Sequence, residues 1–390
     1  MAPTSRLYDA LQQFLRQCDL QWRDVRHLNT LCWMMIGIVQ SQSVHLNGFG
    51  VHILSRATRT QSHQRRFRRW LSNRRITVMA AHHVLVKQAL SQWSAKRLYL
   101  SVDTTLVWNC FCIIWVGVVY RGRTIPLSWR IVTQSSSTVR LWTLQRVLRP
   151  AARLLPSGIP VVLLADRGFA DGKLMKYLKE TLGWHFRIRI KRSFQFNVDE
   201  QWRAVSSVSL QAGEAYFTPS VSLGKTKPYP GVYLAFAHDR PSGERWVIVS
   251  DEPTNLQTFA QYRLRFQVEE SFLDLKSNGF NLEASRLRDK FALTQLCGVM
   301  ALTTLFLVLQ ETQVVASGQR RQVDTHWNRG MSYFKVGWNW IRLAITRQLD
   351  IDVYRFLSSA PDPQPSFASK RQREDTYQRE FTVLTCIPAL

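Results

Sequence analysis

Residues 161–169 read Val161-Val162-Leu163-Leu164-Ala165-Asp166-Arg167-Gly168-Phe169. A short continuous apolar run closed by an acid is the pattern of a strand buried on both faces. Upstream, Leu98-Tyr99-Leu100-Ser101-Val102-Asp103-Thr104-Thr105 alternates and reads as a second strand ending in a carboxylate. Both acids stand at the carboxyl ends of their strands, where open α/β sheets tend to place their sites. Taken alone, either acid could equally be a strand-end turn former.

Working outward, residues 98–104, 109–120 and 125–132 are β-rich, with Tyr120-Arg121-Gly122-Arg123 as a hairpin turn. A helix is expected from Thr138 to Leu155, with Ser135, Ser136 and Ser137 available as caps. The Asp166 strand follows, then a helix over Ala170–Leu182 and a strand over His185–Lys191. Three strands, a helix, a strand, a helix and a strand make the order of an RNase H-like domain. The expected fold is therefore α+β or α/β and multidomain, with a mixed sheet. The divisions are an all-helical region 1–95, a first part of the RNase H-like domain 96–193, a β-rich insertion 194–251, a continuation of that domain 252–315 and a helical C-terminal region 316–390.

The chain has 52 Lys and Arg against 27 acids, a net charge of +25. Hydrophobic content of 45% makes it globular, and the charge is the footprint of a polyanion partner. Residues 1–95 hold 13 of the basic residues against 3 acids. Within them Arg65, Arg66, Arg68 and Arg69 interleave with Phe67 and Trp70, so one helix face can meet phosphates while the other packs. The competing reading is a solvated basic helix.

Cys18, Cys32, Cys110, Cys112, Cys297 and Cys386 make no paired CxxC and His arrangement, which excludes the common zinc folds. Cys110 and Cys112 are expected to share a strand face as packing residues. No disulfide framework is evident, which fits a reducing cytoplasm. No signal peptide is evident. The apolar stretch Leu293–Leu309 is interrupted by polar residues and reads as a buried helix rather than a membrane span. Residues 361–379 are polar and read as a mobile tail.

Downstream, Tyr262, Arg265, Glu269 and Lys276 have offsets of 3, 7 and 14. On one α-helix these fall roughly on a single stripe. Glu270 adjoins Glu269, and composition does not choose between them; the stripe selects Glu269, leaving Glu270 about 100° round the helix. The arrangement Y-x2-R-x3-E-x6-K resembles the YREK signature of bacterial cut-and-paste DDE transposases, insertion-sequence family four. That family's second motif commonly reads D-R-G-F, which residues 166–169 match. The family also carries a β-insertion where Asp166 and Glu269 lie 103 residues apart here.

The resemblance implies a catalytic and metal-binding triad of Asp103, Asp166 and Glu269. Two Mg2+ ions, with Mn2+ as a substitute, would serve phosphodiester hydrolysis and strand transfer. It further implies double-stranded DNA partners at transposon ends and target, a homodimer on paired ends, a hairpin intermediate, and a bacterial cytoplasmic, nucleoid-associated setting. Tyr262, Arg265 and Lys276 would grip phosphates; the alternative for Arg265 is an ordinary i,i+4 ion pair with Glu269. Trp246 is either a platform for a flipped base or a core residue. Arg187, Arg189 and Lys191 alternate on one strand face and either line a DNA channel or face solvent. A rival class is a non-catalytic DNA-binding protein, a domesticated transposase or a repressor, which needs the basic N-terminus but not three acids.

Overall fold

The alternation at 98–105 and the apolar run at 161–165 become neighbouring strands of one sheet. The computed structural model of the chain describes residues 3–17, 22, 24–55, 57–364 and 381–386. Cys18 and, from residue 365 onward, most of the expected tail lie outside them. Four helices come first: α1 (Pro3–Arg16), α2 (Val25–Ser41), α3 (Thr60–Leu71) and α4 (Val78–Leu90). Strands β1 (Leu98–Val107), β2 (Phe111–Tyr120) and β3 (Arg123–Thr133) form a meander. Then come α5 (Leu141–Ala152), β4 (Val161–Ala165), α6 (Gly172–Lys176), a π-helical turn (Tyr177–Leu182) and β5 (His185–Arg189).

The β-rich stretch supplies β6 (Gln195–Val198), β7 (Gln201–Ala204), β8 (Glu214–Phe217), β9 (Val221–Leu223), β10 (Tyr229–His238) and β11 (Arg245–Ser250). Helix α7 (Leu256–Arg263), a 3-10 turn (Leu264–Phe266) and α8 (Gln267–Leu275) lead to α9 (Lys290–Ala316) and α10 (Tyr333–Arg347), and β12 (Thr382–Leu384) closes the described chain.

The sheet runs β3-β2-β1-β4-β5-β11-β10-β9-β6-β7, with β8 on β10 and β12 on β8. Strands β1, β2 and β3 pair antiparallel, whereas β1–β4 and β4–β5 pair parallel. The expected turn between β2 and β3 is formed by Arg121 (φ 46°) and Gly122 (φ 93°), the left-handed pair that matches strand twist. The β-rich stretch is continuous with the sheet, because β11 pairs antiparallel with β5.

Three local expectations are corrected. Helix α5 begins at Leu141, not Thr138, and no serine caps it. The Gln134 side chain donates to the carbonyls of Ser136 and Thr138 and holds that segment as a loop. Cys110 sits in the β1–β2 turn and only Cys112 is on the strand, so they share no strand face. Strand β1 continues to Val107, because it stays paired with β2 as far as Phe111, so Asp103 lies within its strand and only Asp166 stands at a strand's carboxyl end.

Helix α9 is apolar all round and is correspondingly enclosed, packing on β3, α4, α2, α3 and α10. It is 27 residues long, enough to cross a membrane by length and composition, but 89% of its most apolar window is buried inside the protein. One continuous apolar core reaches from Leu7 to Leu357. The N-terminal helices join it through polar contacts as well: Trp338 Nε1 donates to Val39 O at 2.7 Å, Val44 N to Phe280 O at 2.8 Å, and Leu357 N to Ala89 O at 2.8 Å.

Gly337 lets α10 approach α9 closely. A Cβ there would stand 2.0 Å from Leu307 O, a backbone atom with no room to retreat. Gly337→Ala is therefore expected to destabilise the protein by about 1–3 kcal/mol, as overpacking does. Thermal unfolding checks it, and an unchanged midpoint would mean that the helices can separate freely.

Candidate active site

The register of β1 on β4 pairs Leu98 with Val161 and ends with Val102 opposite Ala165. The next residues are Asp103 and Asp166, so the parallel ladder delivers two carboxylates side by side. Asp166 leaves β4 and caps the 3-10 turn Arg167–Phe169, accepting from the Arg167 N–H. Asp103 accepts from Thr104 N at 2.7 Å.

The third acid arrives on α8, which is pinned to the β2–β3 hairpin. Gly122 N donates to Gln267 Oε1 at 3.1 Å, Thr124 N to Ser271 Oγ at 2.8 Å, and Arg123 Nε to Asp274 Oδ2 at 2.5 Å. These contacts turn Glu269 towards Asp103. Glu270 instead pairs with Arg123 at 3.4 Å, in keeping with its place further round the helix.

Arg265 joins the two sides. Its Nη1 reaches Asp103 Oδ2 at 3.2 Å and its Nη2 reaches Glu269 Oε1 at 2.5 Å. The side chain is buried, with Phe266 4.5 Å and Tyr262 5.9 Å away as ring centroids. Burial pushes the Asp103 carboxyl up to about 6; the Thr104 N–H and Arg265 oppose the shift, while Asp166 and Glu269 add to it. The shift is thus mainly a cost of burial, to which the neighbouring carboxylates contribute less.

All three acids offer hard oxygens, the donor set that suits Mg2+. Among the described residues, however, no group of three or more His, Cys, Asp or Glu side chains stands ready to share one ion. The space between Asp103 and Glu269 is taken by the guanidinium.

The single helical stripe expected from Tyr262 to Lys276 is interrupted. The 3-10 turn at Leu264–Phe266 winds three residues per turn instead of 3.6, which rotates Arg265 relative to a continuous α-helix. Lys276 closes α8 outside helical geometry (φ −91°, ψ −91°). Tyr262 is fully buried, and burial raises its pKa to about 12 against the opposing charge of Arg265. It packs edge-on to Trp246 at 5.7 Å. Trp246 is itself buried, donates to Glu244 Oε2 at 2.9 Å and carries the Arg263 guanidinium over its ring. It occupies the core position, not that of an open platform.

The alternating cations on β5 also diverge. Arg187 is buried and donates to Ser250 Oγ and Glu252 Oε2, both at 2.7 Å. Arg189 pairs with Glu244 at 2.9 Å, and Lys191 lies exposed beyond the strand. On α3, Arg65, Arg68 and Arg69 are exposed, whereas Arg66 is half-buried and donates to Thr30 Oγ1 at 3.1 Å. Phe67 and Trp70 fill the core as expected.

Sequence reading missed two tryptophans backed by arginine near the carboxyl edge of β1 and β3. Trp142 on α5 is exposed, with Arg146 stacked at 4.8 Å; Trp108 in the β1–β2 turn carries Arg288 at 4.4 Å. The i,i+4 spacing of Trp142 and Arg146 was a legible signal.

With this geometry in view, residues 116–306 match the family model described as a transposase DDE domain. That match supports a DDE transposase. It spans Asp166 and Glu269 and begins after Asp103. No curated protein matches the chain. Among solved structures, one titled "Cryo-EM structure of piggyBac transposase synaptic complex with hairpin DNA" is similar with a TM-score of 0.46 and 10% identity, over 99% of this chain and 91% of that one.

Glu252 ties β5 to the start of β1, meeting Arg187 at 2.7 Å and Arg97 at 2.6 Å. Hydrogen bonding from Arg97, then from Arg187, holds its carboxyl down at about 2 against burial. A folded pKa below the unfolded one stabilises above about pH 4.3 and loses that contribution as pH falls towards the folded value. Glu252→Gln should therefore cost about 3 kcal/mol at neutral pH, by leaving Arg187 poorly compensated, and the deficit should shrink below about pH 4. Denaturant unfolding at several pH values checks the sign; a deficit that grows on acidification would refute it.

Proposed function

We propose that the chain is a DNA transposase that binds the inverted repeats of its element, cuts at the ends and joins them to target DNA. The observation that carries this reading is the β1–β4 register, which sets Asp103 beside Asp166, together with Arg265, which bridges Asp103 to Glu269 of α8. The order β3-β2-β1-β4-β5, antiparallel and then parallel, supports an RNase H-like core. The match over residues 116–306 supports the transposase class.

Breaking a phosphodiester needs an in-line oxygen nucleophile and a stabilised leaving oxygen. Asp103, Asp166 and Glu269 would hold divalent metal, Mg2+ by donor chemistry, which when bound supplies Lewis-acid stabilisation of both oxygens. Arg265 would offer a bidentate fork and Lys276 a point charge to phosphates beside the cut. Exposed Arg65, Arg68 and Arg69 would follow the duplex backbone. Pairing of two copies on two ends and a hairpin intermediate belong to the same proposal, by resemblance to the YREK-bearing family. For a flipped base, the exposed Trp142 offers a more open ring than Trp246.

Linear DNA carrying the element's ends, incubated with Mg2+, tests the chemistry. Glu269→Gln and Asp166→Asn should each lower cleavage by roughly 10³-fold or more while end binding persists. Cleavage surviving in either variant removes that acid from the reaction.

Truncating the N-terminal helices is a poor test of DNA binding, because they share the protein's core. Replacing Arg65, Arg68 and Arg69 by Gln leaves that core intact. The slope of log K against log salt should then fall by about one for each phosphate that is no longer neutralised. An unchanged slope moves the DNA interface away from α3.

A further inference from the structure

The proposed site contains a cation of its own. The Arg265 guanidinium spans Asp103 Oδ2 and Glu269 Oε1, at 3.2 and 2.5 Å, and these are oxygens that a divalent ion at the site would need. The backbone beneath it is anchored, since Arg265 O accepts from Ser101 Oγ at 3.3 Å. The aromatic rings of Phe266 and Tyr262 flank it. Its Nε is buried with no hydrogen-bond partner among the described residues. The fork is held by a carboxylate at each of its two terminal nitrogens. Glu269, on the outer side, is half exposed, whereas the Arg265 side chain is buried.

A divalent ion and a guanidinium cannot both occupy this gap: they compete for the same lone pairs and repel each other. A DNA phosphate offers Arg265 an equivalent anionic partner with bidentate geometry. On the reading that Asp103 and Glu269 are metal ligands, we propose that Arg265 is a positioning residue that makes metal capture conditional on DNA. It holds the two carboxylates together until a backbone phosphate draws it away, and the released oxygens then take the ion. By linkage the coupling is reciprocal: DNA raises metal affinity by the factor by which metal raises DNA affinity. The consequence is a nuclease that stays poorly charged with metal until it has engaged a DNA strand.

The test is Mn2+ binding by the full chain, followed through the loss of the free-ion paramagnetic resonance signal. It uses wild type, Arg265→Gln and Arg265→Lys without DNA, and wild type with a duplex taken from the element's end. Arg265→Gln removes the competing charge and should bind Mn2+ at least tenfold more tightly than wild type without DNA. Arg265→Lys, which keeps the charge but loses the fork, should fall between them and also serves if the Gln variant folds poorly. Wild type with the duplex should approach Arg265→Gln. Asp103→Asn and Glu269→Gln should abolish binding throughout. Equal Mn2+ affinity in wild type and Arg265→Gln without DNA, still dependent on Asp103 and Glu269, overturns the gate and leaves the metal site standing. Absence of binding in Arg265→Gln and in DNA-bound wild type overturns both.

Discussion

The site depends first on one parallel pairing, β1 on β4. Five residue pairs, Leu98–Val161 to Val102–Ala165, set the register, and the acids follow immediately. All five residues of β4 are buried, so the pairing is specified from both sides. A slip of one residue would turn β4 over relative to its neighbour and send Asp166 to the opposite face. The placing of the two carboxylates thus rests on a packing decision made by buried Val, Leu and Ala side chains.

The third acid is placed by a different kind of force. Helix α8 is held to the β2–β3 hairpin by polar contacts from Gln267, Ser271 and Asp274, spaced to recur on one side of the helix. The opposite charges of Arg265 and the acids complete the approach. Asp274 is buried with a carboxyl raised first by desolvation, so its bond to Arg123 compensates a real cost instead of adding to a surplus. The protein accepts buried charge at this joint because a helix end must be aimed, and aim needs directional bonds.

Much of this was legible in the sequence, because strand ends and turns leave local marks. The apolar run before Asp166, the turn at Arg121-Gly122 and the enclosed helix after Lys290 each follow from patterns of a few residues. The interruption at Leu264–Phe266 left no mark: no glycine or proline stands there, and the 3-10 turn arises where the chain fits Arg265 between β1 and α8. The burial of Arg187 was equally hidden. Period-two spacing tells which residues share a face but not what covers it, and here Ser250 and Glu252 come from the end of β11, more than 60 residues later. Domain divisions drawn from composition also carry no information on packing; the basic N-terminal helices and the sheet turn out to share one apolar core.

Trp246 makes the same point from the other direction, and suggests what the β-rich stretch contributes. Ala215, Ala235, Ala237, Trp246 and Ile248 from β8, β10 and β11 enclose Phe259 and Tyr262 of α7 in a small second core. Phe266 packs against this cluster and lies under the Arg265 guanidinium. Alanine at three of these positions leaves room for the large rings, so the strands form a floor shaped to take α7. The inserted strands therefore reach the site indirectly, by fixing the aromatic bed on which Arg265 rests. Tyr262 belongs to that bed: it is fully buried there, edge-on to Trp246 and Phe266 and beside the Arg265 guanidinium.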